Sequence, residues 1–189
     1  MNFDSLEQLL STQRAIRHFS DRPLDDATIE RVLRAATYAP SSHNSQPWRF
    51  IVVRDVDTKE QLGVIFDELG AAIPGGPPAR TPWRDVPALI VACSKEAPGD
   101  EAGAAGLAAS IYPAVQNLLI AAHAIGLGAN LTTRWKAREP EAQKILGLPP
   151  GVVLHAIVPI GWPDRRYGKS KRRPVGEVAY RERYGTSWR

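Results

Sequence analysis

The stretch TQRAIRHF places two arginines, Arg14 and Arg17, three residues apart. On a continuing helix that spacing would bring both guanidinium groups to one face, where their planar forks suit a phosphate dianion. The plainer alternative is that they pair with acids or face solvent. A second cluster, APSSHNSQPWRF, crowds Ser41, Ser42, Asn44 and Gln46 between two prolines. It is either an ordinary connecting loop or a set of short donors and acceptors built to hold a polar ligand. A third feature is basic: Arg165, Arg166, Lys169, Lys171, Arg172 and Arg173 fall within nine residues. Such a run reads as a solvated tail, a nucleic-acid patch, or extra cations for the same phosphate. No aromatic-rich RNA motif or zinc-finger spacing accompanies it, which weakens the nucleic-acid alternative.

No pattern supplies a catalytic acid, base or nucleophile. GLGANL lacks the third glycine of a dinucleotide fingerprint and comes after a helical stretch rather than a strand. There is no phosphate-binding G-x-x-x-x-G-K and no G-x-S-x-G elbow. The four histidines are scattered without ligand spacing, so no metal centre is expected. Cys93, the single cysteine, sits in PALIVACS and reads as core, with no disulfide framework possible. If the chain is an enzyme, a cofactor carries its reaction.

Periodicity gives the elements that must position these residues. DSLEQLLSTQ puts Leu6, Leu9 and Leu10 on one helical face, with Asp4 and Glu7 spaced like a capping box. A second helix starts at Asp25 and Asp26, carries Ile29, Val32, Leu33 and Ala36, and is closed by Pro40. WRFIVV alternates as a strand with Trp48, Phe50 and Val52 on one face, and KEQLGVIFDEL is again helical. Residues 70–87 are too rich in Gly and Pro for a regular element and read as an excursion or lid. PALIVACS and VVLHAIVPIG are strands buried on both faces. Residues 103–125 form a long apolar helix stopped by Gly126, with Ser110, Gln116, Asn117 and His123 arguing against a membrane span. PEAQKILGL is a short helix with Pro140 at its start. A chain of 189 residues with 43% hydrophobic content suits one domain, here residues 1–189, ending in a basic tail over 162–189. Helices and strands mix without strict alternation, so an α+β or α/β class with one central sheet is expected. The acidic, amphipathic start is no secretory signal, and a cytoplasmic location is expected.

Four stretches, RAIRHF with its following proline, APSSHNSQPWRF, QNLLIAAHAIGLGANLTT and PIGWPDRRYGKSKRRPV, together resemble the signature blocks of the flavin-dependent nitroreductase family, in the same order and over about Leu6 to Val178. The resemblance implies an α+β, nitroreductase-like fold with a central, mostly antiparallel sheet packed among helices. It also implies a homodimer with one FMN at each interface, contacted by both chains. On this resemblance Arg14 and Arg17 hold the FMN phosphate, with Ala15 contributing backbone. Pro40, Ser41 and Ser42 line the flavin ring, and Asn44, with Gln46 beside it, reaches ribityl or ring from the other chain. Leu131, Thr132 and Thr133 bring backbone near flavin N5, while Lys171 and Arg172 close over the phosphate. Gln13 and Ala15 depart from the Arg and Ser of many relatives. No motif supplies a cation for the flavin N1/C2=O edge; Arg80 and Arg84 of the variable excursion are candidates without a motif to anchor them.

The activity so implied is oxidation of NADH or NADPH with transfer of hydride to a small electron-poor acceptor (nitroaromatic, quinone or activated alkene) by ping-pong exchange. No side chain is assigned as a catalytic residue, and Trp83 is either an apolar wall of the substrate pocket or simply a packing residue. The alternatives are a flavin-fragmenting or dehalogenating reaction on the same fold, and a flavin-binding protein without turnover. Nucleic-acid and membrane partners are not expected.

Overall fold

The apolar runs WRFIVV, PALIVACS and VVLHAIVPIG become the three long strands of one sheet. The computed structural model describes residues 2–74, 80–95 and 101–189. In chain order the elements are α1 (Phe3–Thr12), α2 (Asp26–Ala36), β1 (Trp48–Val53), α3 (Val56–Ala71), β2 (Ala88–Lys95), α4 (Glu101–Ala124), β3 (Gly128–Ala129), α5 (Glu139–Ile145) and β4 (Val152–Gly161). Short 3₁₀ turns lie at Ser42–Asn44, Trp83–Asp85, Arg134–Arg138 and Val175–Glu177. The excursion expected over 70–87 is therefore part helix end and part 3₁₀ turn, and its residues 75–79 lie outside the described residues.

The sheet runs β1-β2-β4-β3, and every strand pair is antiparallel. Alternation on β2 divides the core. Ala88, Ile90 and Ala92 pack with α2 and α4 on one face, while Leu89, Val91 and Cys93 join α3 and Trp135 on the other. Burial pushes the Cys93 thiol up to about 11, so it is an inert core group. On β1, Trp48 and Phe50 do share the α4 side, but Val52 stays exposed on this edge strand. Segment Ala105–Ala124 of α4 is apolar and long enough to cross a membrane by composition alone. Instead Ile111, Val115 and Leu118 are buried with the sheet.

A bulge interrupts the β2–β4 ladder: Ala92 pairs with Ala156 and Cys93 with Leu154, leaving His155 as the extra residue. His155 is buried and shares a hydrogen bond of 2.7 Å between its Nε2 and Ser94 Oγ. Burial, with the nearby charge of Lys136 adding, holds this imidazole below its ordinary pKa of 6.5. Burial likewise lowers His123, whose Nε2 meets Thr12 Oγ1 at 2.8 Å. A histidine depressed in the folded state takes its proton more readily unfolded. Stability is therefore full above about pH 6.5 and falls as pH drops below it. Melting curves between about pH 7.5 and 5.5 should show a falling Tm, at about 2–4 °C per kcal/mol lost. His155→Gln should flatten that dependence, and an equally steep profile in the variant would remove His155 as its source.

Two helix-level expectations need correction. The cap of α1 is Asn2, whose side-chain oxygen accepts the Ser5 N–H at 2.9 Å, so Asp4 sits inside the first turn rather than at its head. No residue of α1 is buried; Leu6 and Leu10 remain 38% and 47% exposed. The helix also stops at Thr12, and Gln13 is already extended with ψ near 132°. Arg14 and Arg17 consequently lie on extended chain, not on a helical face. By contrast Asp25 caps α2 through the Thr28 N–H at 2.6 Å, and Ile29, Val32 and Ala36 are its buried face.

Candidate functional site

Beyond α1 the chain is laid against the short strand β3. Ile16 N–H donates to Ala129 O at 3.0 Å, and Ala15 pairs with Ala129 in parallel register. The chain after β4 then returns as a strap across this segment. Ser20 N–H donates to Trp162 O at 2.9 Å, Asp164 N–H to His18 O at 3.3 Å, and Ser170 N–H to Ser11 O at 3.0 Å. Ser170 Oγ adds a bond to Gln13 O at 3.4 Å.

Between the segment, β3 and the strap opens a cavity of about 700 Å³. Its walls are residues 13–15 and 17, 129–131 and 169–172, with Leu119 from α4. Arg14, Arg17, Lys169, Lys171 and Arg172 line it, and no carboxylate, histidine or cysteine does so among the described residues. Leu119, Ala129 and Leu131 supply apolar surface, and Asn130 is buried at 8% exposure. Chemically this is a container for an anion that also carries apolar surface. Its size falls within the ~300–1,000 Å³ common for small-molecule sites.

Of the residues singled out from sequence, Arg14, Ala15, Arg17, Leu131, Lys171 and Arg172 meet at this cavity. Thr132 and Thr133 adjoin Leu131 without lining it. The Thr132 N–H donates to Ile157 O at 2.9 Å and Ile157 N–H returns to Thr132 O at 3.1 Å, continuing the pairing with β4. Pro40, Ser41, Ser42, Asn44 and Gln46 are not part of this cavity within one protomer. They form a turn that hydrogen-bonds to itself: Gln46 N–H donates to Ser41 Oγ at 3.0 Å and Gln46 Nε2 to Asn44 Oδ1 at 3.3 Å. Ser42 N–H donates to Ser110 Oγ at 3.3 Å, which fixes the turn to α4. His43, Asn44 and Gln46 have φ of 51°, 53° and 47°, a left-handed backbone that is costly for a side chain like Gln46. Ser42, Asn44 and Gln46 are nevertheless exposed.

Trp83 takes the packing alternative within one protomer. At 3% exposure it is a core residue, its ring centroid 4.8 Å from that of Phe66. It lines a side chamber of about 10 Å³, room for one water, rather than the large cavity. Arg80 lies in the same chamber, paired with Asp67 and stacked over Phe66 at 4.8 Å. Arg17 and Asn130 are shared by chamber and cavity. Arg84 instead faces the surface and binds Glu60 at 2.8 Å. Sequence reasoning missed Leu119, Ala129, Asn130 and Ser170 as lining residues, had Lys169 only as part of the basic run, and used Gln13 only as a departure. A polar Asn at the end of the apolar run GLGAN was a usable signal for Asn130; Leu119 carries none, because it reads as any core leucine.

Comparison with known proteins gives this arrangement a family. The family model described as Nitroreductase family matches residues 10–162. The chain belongs to the nitroreductase family. A relative from Archaeoglobus fulgidus, provisionally named NADH dehydrogenase/NAD(P)H nitroreductase, is 31% identical over 82% of this chain and 84% of its own. The 5,6-dimethylbenzimidazole synthase of Rhodospirillum rubrum is 31% identical over 90% of this chain and 92% of its own. Among solved structures, a provisionally named nitroreductase from Desulfovibrio desulfuricans in complex with FMN aligns with TM-score 0.74 and 25% identity, covering 97% of this chain and 99% of that one. The antiparallel sheet packed among helices is thus the nitroreductase fold, as the four sequence blocks imply. The family match ends at Trp162, so the strap that closes the cavity lies beyond it.

Proposed function

We propose that this nitroreductase-family chain is an FMN-dependent oxidoreductase that takes hydride from NADH or NADPH and passes it to an electron-poor acceptor. The observation that carries the reading is the cavity itself: five cations and, among the described residues, no carboxylate, set beside an apolar wall where three of the four family-like blocks converge. These residues fit FMN. Arg14, Lys171 and Arg172 would neutralise its phosphate, Leu119, Ala129 and Leu131 would face the ring, and Arg17 and Asn130 would serve its polar edges. When bound, FMN supplies the two-electron chemistry, accepting hydride from the nicotinamide and yielding it to a nitroaromatic, quinone or activated alkene. The protein's own residues bind, orient and shield; among the described residues no carboxylate, histidine or cysteine lines the cavity.

The reading includes a homodimer. In the turn carrying Ser41, Ser42, Asn44 and Gln46, the last three are exposed, His43, Asn44 and Gln46 have left-handed backbone, and none lines its own protomer's cavity, as expected of a group that completes the partner's. Exposed Phe3, Leu10, Val175 and Val178 are consistent with a second copy covering this chain.

A second reading, flavin fragmentation, is favoured by the similarity to the R. rubrum synthase over most of both chains. Oxidation of NADH or NADPH that depends on added nitroaromatic supports the oxidoreductase; consumption of FMN itself supports fragmentation. The binding test is direct. Purified protein mixed with FMN and desalted should keep its flavin bands. Guanidinium–phosphate hydrogen bonds are worth about 1.5–3 kcal/mol, so Arg14→Ala or Arg172→Ala should each weaken FMN about 10- to 100-fold. Wild-type affinity in both variants would overturn the phosphate assignment.

A further inference from the structure

Arg14 is held at the cavity by neutral groups. Among the described residues no carboxylate lies within salt-bridge distance of it. Its Nη1 donates to the carbonyl of Gly168 at 3.3 Å, and its Cζ lies over the ring of Tyr167, 5.8 Å from the centroid. Both restraints are neutral, so the positive charge stays available to an incoming anion instead of being shared with an acid. The ring itself is fixed. Tyr167 Oη donates to Asp164 Oδ1 at 2.9 Å, and the Asp164 N–H is anchored to His18 O. Three residues beyond Tyr167, Ser170 is bound to Ser11 and Gln13. Tyr167 is therefore the middle of a strap tied at both ends to the segment that carries Arg14. It also lines a separate cleft of about 250 Å³, on which side Arg165 stacks over the same ring at 5.3 Å.

We propose that Tyr167 is a positioning residue for Arg14, and that it sets the preference of the cavity for a phosphorylated flavin over its dephosphorylated form. The inference rests on the FMN reading above. A free arginine side chain loses rotamer entropy when a ligand fixes it. A ring that holds the guanidinium beforehand removes part of that cost, and only a ligand with a phosphate at Arg14 gains from it.

The test is a comparison of FMN and riboflavin affinities in the full chain, measured by flavin fluorescence titration. Wild type should bind FMN well above riboflavin. Tyr167→Leu should lower FMN affinity about fivefold, the scale of one cation–π contact, and leave riboflavin within about twofold. Tyr167→Phe, which keeps the ring and loses only the bond to Asp164, should retain most of the FMN preference. In an Arg14→Ala background, Tyr167→Leu should change nothing further. Riboflavin binding doubles as the folding control: equal loss of both ligands in Tyr167→Leu means a merely structural residue and overturns the proposal. So does an unchanged FMN-to-riboflavin ratio, or a Phe variant as impaired as the Leu variant. A wild type that binds both flavins alike would instead overturn the phosphate site, and the role of Tyr167 with it. A wild type that binds neither overturns the FMN reading itself.

Discussion

Gly128→Ala should dislodge the segment that carries Arg14 and Arg17, with loss of both stability and flavin retention. Gly128 is buried in β3, and a methyl group added there would lie 2.6 Å from Ile16 Cγ2, 2.8 Å from its Cβ and 3.0 Å from its Cγ1. These are not the far end of a flexible side chain. They belong to the branched root of a residue that is itself buried and whose N–H is bound to Ala129 O at 3.0 Å. No rotamer of Ile16 relieves a clash with its own Cβ, so backbone must move. Overpacking of this kind costs about 1–3 kcal/mol, or roughly 2–12 °C in Tm. The functional loss should exceed the stability loss, because the part that yields holds two of the five cavity cations. Flavin retained after desalting at a temperature well below the variant's Tm is the measurement. Full retention together with a lowered Tm would show that β3 moves and residues 14–17 do not.

Legibility from sequence tracked how local each feature was. Asp25, the buried face of α2 and the continuous strands PALIVACS and VVLHAIVPIG are set by caps and periodicity within a few residues, and all appear where pattern reading puts them. The α1 cap is harder to place because Asp4 and Asn2 are both competent cap residues two positions apart, and only the geometry of the first turn separates them. Arg14 and Arg17 do reach one cavity, but by a different route from the helical spacing that suggested it. Extended chain pairs with β3, and the strap from 162 to 172 covers it, a contact between residues more than 140 positions apart. No local rule encodes such a pairing; the motif blocks pointed to it only through their likeness to a known family. Trp83 shows the converse. In a Gly- and Pro-rich stretch it reads equally as pocket wall or as packing, and the chain folds back so that Trp83 packs against Gly63 and Phe66. Gly63 in the middle of α3 was the available clue, since a Cβ there would sit 3.2 Å from Trp83 Cβ.

Trp135 offers the largest stability effect and also a link from core to site. It is 1% exposed, packs among Leu154, Ile157 and Ala142, and its Nε1–H donates to Thr132 O at 3.3 Å. Thr132 in turn joins β4 through Ile157, and its neighbour Leu131 lines the cavity. Trp135→Ala should therefore cost about 3–5 kcal/mol, on the order of 10 °C in Tm, from the cavity it leaves. Packing alone would predict the same class of loss from Leu62→Ala, a residue equally buried on α3 but absent from the cavity wall. The two variants should separate in flavin binding. Leu62→Ala should bind FMN normally once folded, whereas Trp135→Ala should bind it several-fold more weakly, because the turn at 131–133 loses its anchor. Trp135→Phe, which keeps most of the apolar volume and removes the bond to Thr132, should fall between wild type and Trp135→Ala in stability. Equal FMN affinity in Leu62→Ala and Trp135→Ala would mean that the turn is held by its pairing with β4 alone, and that Trp135 is core and nothing more.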